Sequence, residues 1–209
     1  MPEELHIEAL RPLSSERVSV RLSNGEEIAS TLGVAAELRL CSGLRLDEEK
    51  LEALRGASAL ALLKTKALEL LSRRPMSAKE LNDKLLQKGA EPKSAAVCVR
   101  WLLDQRLLDD ESYAGAVARH YAAKGYGPGR IRQELSRRGV PREYWDEALC
   151  QRPDNSEKID KLIAARLRDP EDRDQVRKVT AALFRRGFGW DEIREALARF
   201  RAEADYEED

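Results

Sequence analysis

Between residues 119 and 142 the chain carries Arg119, Lys124, Arg130, Arg132, Arg137, Arg138 and Arg142 against a single acid, Glu134. All but one of these cations are Arg, whose planar guanidinium donates in pairs to the oxygens of a phosphate or a carboxylate. The chemistry of such a set is electrostatic contact with a polyanion. Gly125-Tyr126-Gly127-Pro128-Gly129 lies inside it. The ring of Tyr126 is a flat surface on which an unpaired base can stack. Arg177, Lys178, Arg185 and Arg186 form a comparable set further on. A merely solvated face is the plainer account of such charge. The Arg bias and the ring in the loop favour phosphate contact.

Other reactive residue types are present but not in working arrangements. Asp109-Asp110 has the look of paired carboxylates for metal binding or acid–base chemistry. Consecutive acids at a helix start serve far more often as a cap and a partner for the helix dipole. Cys41, Cys98 and Cys150 are widely spaced, and His6 and His120 stand apart. That spacing fits no zinc site, and reduced thiols are expected. The chain has no G-x-S-x-G, no H-E-x-x-H and no P-loop. The glycine-rich loop follows a helix rather than a strand, which removes a dinucleotide-binding reading. No catalytic residue, metal or cofactor is expected.

The elements that position the cations follow one pattern used three times. Leu81, Leu85 and Lys88-Gly89-Ala90 form the first copy. Ile131, Leu135 and Arg138-Gly139-Val140 form the second, and Val179, Leu183 and Arg186-Gly187-Phe188 the third. Two apolar residues four apart share one helical face, and a Gly beyond them closes the helix in a left-handed C-cap. The repetition predicts an array of helical units. Ser77-Ala78-Lys79-Glu80 reads as a capping box, with the next helix over 92–105 and Val97, Trp101 and Leu102 inward. Gly56 and Ser58 are expected to bend or split the helix that begins at Asp47.

Period-two alternation in residues 5–10, 17–22 and 27–32 predicts about three antiparallel strands ahead of the helices. Asn24-Gly25 suggests a tight hairpin with both central residues at positive φ. The expected divisions are a β-containing extension over 1–46, helical units over 47–108, 109–153 and 154–202, and an acidic, disordered tail over 203–209. Residues 61–200 hold 29 Lys/Arg and 22 Asp/Glu, while residues 1–60 hold 7 and 11. A basic array thus lies between acidic ends, although the whole chain has a net charge of −1. The acidic N-terminus lacks the apolar run of a signal peptide, and no stretch suits a membrane span. A cytoplasmic monomer is expected.

The ordered motifs resemble the RecX family, regulatory partners of the RecA recombinase. The resemblance lies in Ala67-Leu68-Glu69-Leu70-Leu71-Ser72-Arg73-Arg74-Pro75-Met76-Ser77, in Glu80-Leu81 and in Lys88-Gly89. It continues through Leu108-Asp109-Asp110-Glu111-Ser112-Tyr113-Ala114, Gly127-Pro128-Gly129-Arg130-Ile131, Glu134-Leu135, Arg138-Gly139-Val140 and Arg185-Arg186-Gly187-Phe188. Residues 67–200 carry the likeness, and the first 60 share it more loosely. Ala90 and Gly129 depart from the residues usual in the family. The resemblance implies a mainly α fold of three tandem three-helix repeats in an elongated, curved array. It implies a non-enzymatic protein that binds the RecA filament and single- or double-stranded DNA. Such a protein restrains ATP hydrolysis, filament growth and strand exchange in recombinational repair and the SOS response. A general DNA-binding helical repeat without a recombinase partner, and a helical scaffold for other proteins, are the alternatives.

Overall fold

The computed structural model describes the backbone of residues 5–207 and the side chains of residues 5–202. Three strands, β1 (Ile7–Pro12), β2 (Arg17–Leu22) and β3 (Glu27–Thr31), form an antiparallel sheet in sequence order. The β2–β3 hairpin differs from a two-residue turn. The Gly25 N–H donates to the Leu22 carbonyl, and Gly25 alone in the turn takes positive φ, +84°. This is a three-residue loop in which the glycine supplies the left-handed step and Asn24 keeps an ordinary φ. Helix α1 (Leu32–Glu37) follows, then α2 (Glu48–Arg73). The sheet buries Ile7, Val20, Leu22 and Ile28 against Val34, Leu46 and Leu54. A sheet this small needs such a helical partner.

Asp47 caps α2 by accepting from the Lys50 N–H at 2.8 Å. The helix runs unbroken through Gly56 and Ser58, against the expected bend or split. Ser58 is buried, and its hydroxyl donates to that of Ser30 on β3 at 2.8 Å. The position read as a helix breaker is a polar contact with the sheet.

The remaining helices are α3 (Ala78–Gln87), α4 (Pro92–Asp104), α5 (Asp110–Ala123), α6 (Pro128–Arg137), α7 (Trp145–Cys150), α8 (Ser156–Ala164), α9 (Arg173–Arg185) and α10 (Trp190–Glu207). A short 3-10 turn at Arg142–Tyr144 precedes α7. On α4 the buried stripe is Ala95, Cys98, Val99 and Leu102, while Val97 is 52% exposed rather than inward. Trp101 is half-buried, with the Lys64 ammonium 4.2 Å from its ring centre. The acidic segment 203–209 falls partly on α10, whose backbone is helical to Glu207. Residues 208 and 209 lie outside the described residues.

Two compact units result: residues 1–75 with 81–105, and residues 76–80 with 106–209. The second holds two cores. Helices α5–α7 bury Tyr113, Val117, Ile131, Leu135, Val140 and Leu149. Helices α8–α10 bury Ile159, Ile163, Leu167, Val179, Leu183, Phe188 and Ile193. Each large aliphatic side chain buried in this way contributes about 1.5–3 kcal/mol.

Asp109 and Asp110 divide their work between two helices. Asp109 accepts from the Ser112 N–H at 2.9 Å and caps its own helix, α5. Asp110 is buried and accepts from the Ala78 N–H at 2.8 Å, capping α3 instead. Burial pushes its carboxyl above the usual range, opposed by the Ala78 bond and reinforced by Asp109. The raised folded pKa means that ionisation costs stability as pH rises through the window above the unfolded value. Asp110→Asn keeps the acceptor and removes the buried charge. Urea unfolding at neutral pH should find Asp110→Asn at least as stable as the parent, with the parent recovering at acid pH. Asp110→Ala should lose about 1–2 kcal/mol, the usual worth of a helix cap.

Candidate nucleic-acid interface

The three capping glycines take the conformation their spacing predicts, with φ of +87° at Gly89, +68° at Gly139 and +88° at Gly187. Each N–H bonds to the carbonyl three residues back, and the next residue's N–H reaches five back. Val140 to Leu135 at 3.0 Å and Phe188 to Leu183 at 3.2 Å are such bonds. The two bonds together satisfy carbonyls that the helix end leaves open. The loop after α5 hides a fourth cap of the same kind. Gly125 donates to Ala122 at 2.8 Å and Tyr126 to Tyr121 at 3.1 Å.

The rest of that glycine loop is occupied by the C-cap of α9. Gly127 N–H donates to the Arg186 carbonyl at 2.9 Å, and Gly129 N–H to the Gly187 carbonyl at 2.8 Å. A Cβ on Gly127 would lie 2.5 Å from the Gly187 backbone. Glycine is required because two main chains touch here. Around this joint the Asn155 amide donates to the Tyr126 carbonyl at 3.2 Å. The Lys158 ammonium donates to the Ala122 and Ala123 carbonyls at 3.2 and 2.8 Å. A cation there suits the negative end of α5.

An equivalent joint lies one repeat earlier. The Ser77 hydroxyl accepts from the Glu80 N–H at 3.1 Å and donates to the Arg138 carbonyl. The Lys79 side chain covers Gly139. In both places the start of one middle helix, α3 or α6, meets the C-cap of the next, α6 or α9. Nothing local signals these partners: Ser77 and Arg138 are 61 residues apart, and Asn155 and Tyr126 are 29 apart.

The predicted binding residues fall into two groups. The first is bonded to other groups of the protein, although the Arg137 side chain stays 67% exposed. Glu134, the lone acid of the basic segment, is buried, and its carboxylate lies 3.1 Å from Arg130, 2.7 Å from Arg137 and 3.9 Å from Arg138. Burial alone would raise this carboxyl. The bonds from Arg137 and Tyr121, with the charge of Arg130, hold it below the ordinary value instead. Arg138 also donates to the Tyr113 hydroxyl at 2.7 Å. Tyr126 is half-buried, 5.8 Å from the Tyr121 ring and 6.0 Å from the Arg186 guanidinium. The Arg186 side chain also reaches the Gly125 carbonyl at 3.4 Å.

The second group is exposed: Arg119, Lys124, Arg132 and Arg142 from the middle repeat, and Arg177, Lys178 and Arg185 from α9. Two of these have exposed acidic neighbours. Asp146 lies 4.0 Å from Arg132, and Asp174 lies 3.2 Å from Arg177. Exposed pairs of this kind contribute little and exchange readily for a phosphate. Arg142 sits 5.7 Å from the Trp145 ring centre. Among the described residues no group of three or more His, Cys, Asp or Glu is placed to hold a metal, and no helix is long and apolar enough to cross a membrane.

Fold and charge together define a tandem array of three-helix units, joined cap to backbone within its second compact unit and rich in exposed Arg. Models of the first, second and third RecX three-helix domains match residues 64–102, 109–149 and 155–197. Regulatory protein RecX of Xanthomonas axonopodis pv. citri (strain 306) is 43% identical over 141 residues, covering 66% of this chain and 86% of that protein. A crystal structure of a regulatory protein RecX superposes with a TM-score of 0.76 at 26% identity, covering 91% of this chain and 97% of that one. RecX from Lactobacillus salivarius gives a TM-score of 0.64 at 25% identity, covering 70% and 99%. The chain belongs to the RecX family of regulatory proteins.

Proposed function

We propose that this protein is a non-enzymatic modulator of the RecA recombinase. It binds the RecA–single-stranded DNA filament and DNA itself, and restrains ATP hydrolysis, filament growth and strand exchange. Family membership supports the partner. The observation that carries the DNA contact is the set of exposed cations left after Glu134 has gathered Arg130, Arg137 and Arg138. Lys124, Arg132, Arg142 and Arg185 are its core, and all four side chains face solvent.

The test is RecA-dependent ATP hydrolysis on single-stranded DNA with this protein added. A lowered rate is expected, and an unchanged rate at saturating protein would count heavily against the proposal. Replacing Lys124, Arg132, Arg142 and Arg185 together by Ser should weaken DNA binding. The salt slope should fall by about one for each phosphate that is no longer neutralised. These residues are exposed, so circular dichroism should show an unchanged fold. Strong binding to bare DNA without preference for the filament would instead favour a general DNA-binding repeat protein.

A further inference from the structure

The third repeat has an exposed feature outside the basic segments. Phe184, at the end of α9, and Trp190, at the start of α10, stack with ring centres 6.1 Å apart and planes within 7°. Both are open to solvent, at 48% and 57% exposure. Large aromatic rings are usually buried, so an exposed stacked pair calls for an explanation. The pair lines a groove of about 620 Å³ whose other walls include Arg173, Val176, Arg177 and Arg201. Glu171 is the one acid among the lining residues. Among nearby acids, Glu192 pairs with Arg152 at 3.0 Å and Asp191 with Arg194 at 3.1 Å, while Asp174 makes an exposed pair with the groove's own Arg177 at 3.2 Å.

We propose that this groove is a single-stranded nucleic-acid subsite in which an unpaired base stacks on Trp190 and Phe184. Arg173, Arg177 and Arg201 take the flanking phosphates. The proposal deepens the DNA-binding part of the reading above and rests on it. Two features select this occupant. A flat aromatic surface is matched by a base of any identity, which gives sequence-tolerant binding. Three guanidinium groups around it complement phosphate, which can displace the exposed Asp174 from Arg177 and add to the 3.4 Å bond from Arg201 to the Pro170 carbonyl, whereas a purely apolar protein segment offers them nothing. Tyr126, the ring that the sequence pattern favours for this role, is half-buried in the joint between repeats. The open stack lies on α9 and α10 instead.

The experiment compares binding of the full chain to a fluorescent oligo-dT and to an abasic oligomer of equal length and charge at low salt. Parent protein should prefer oligo-dT by roughly tenfold, the scale of one stacked base. Trp190→Ala should remove that preference and leave abasic binding unchanged, while Trp190→Phe should retain most of it. Equal affinity of the parent for both oligomers would overturn the stacking subsite and leave phosphate binding standing. Failure to bind either oligomer would overturn both. Unchanged oligo-dT affinity in Trp190→Ala, with loss of its effect on RecA ATP hydrolysis, would assign the groove to a protein contact and also overturn the proposal.

Discussion

Gly187→Ala is expected to lower the unfolding free energy by about 2–5 kcal/mol, while Gly89→Ala costs only about 1–2 kcal/mol. Both glycines close helices with nearly equal φ, +88° and +87°, so the left-handed penalty is common to them. The surroundings differ. A Cβ at Gly89 meets nothing within 4 Å, but at Gly187 it would lie 2.2 Å from the Arg130 backbone nitrogen. Backbone cannot swing aside, so either the α9 cap or the start of α6 must move. Gly139 should fall between the two. Its Cβ would collide at 2.5 Å with the Lys79 side chain, a flexible stem that can rotate away. Urea unfolding of the three variants checks the order. Equal losses would mean that the caps matter and the backbone joints do not.

Glu134→Gln is expected to destabilise the protein by about 1.5–3 kcal/mol, because it weakens charge-assisted bonds made by a buried carboxylate. The pH dependence gives an independent check. Its folded pKa lies below the ordinary value, so the stabilisation is present above the unfolded value and fades as pH falls toward the folded one. Parent and variant should therefore converge in acid, as seen by denaturant midpoints from pH 7 down to pH 3. At neutral pH and low salt the variant should bind DNA at least as well as the parent. It loses an acid and frees the Arg130 and Arg137 side chains. Weaker binding by a folded variant would show that Glu134 presents those arginines in a functional arrangement.

The basic segment is less evenly positive than its raw charge suggests. Seven cations stand against one acid, yet that acid sits under three of the arginines. The exposed cations without a bond to Glu134 are Arg119, Lys124, Arg132 and Arg142, with Arg177, Lys178 and Arg185 on α9. A tandem array with several weak contacts binds a repetitive filament well, because each contact raises the local concentration for the next.

Helix positions, glycine caps and the N-terminal strands were legible in the residue pattern because their causes are local. Apolar residues four apart, Asp47 before α2 and Gly139 after α6 act within one or two turns of the chain. The three-helix repetition follows from the same caps. Partners across repeats were not legible. Asp110 caps α3 rather than α5, Ser77 bonds the cap of α6, and Gly127 and Gly129 meet Gly187 across about 60 residues. Ser58 looked like a break and is a buried contact to Ser30. Tyr126 looked available to a base, whereas the exposed stack is Phe184 with Trp190. The residue pattern sets most helix starts and stops and the distribution of charge along the chain, because caps and periodicity act locally. Burial of Glu134 beneath Arg130, Arg137 and Arg138, the place of Tyr126 in the joint and the exposure of Phe184 and Trp190 belong to the tertiary structure, because burial depends on packing between helices that no local pattern records.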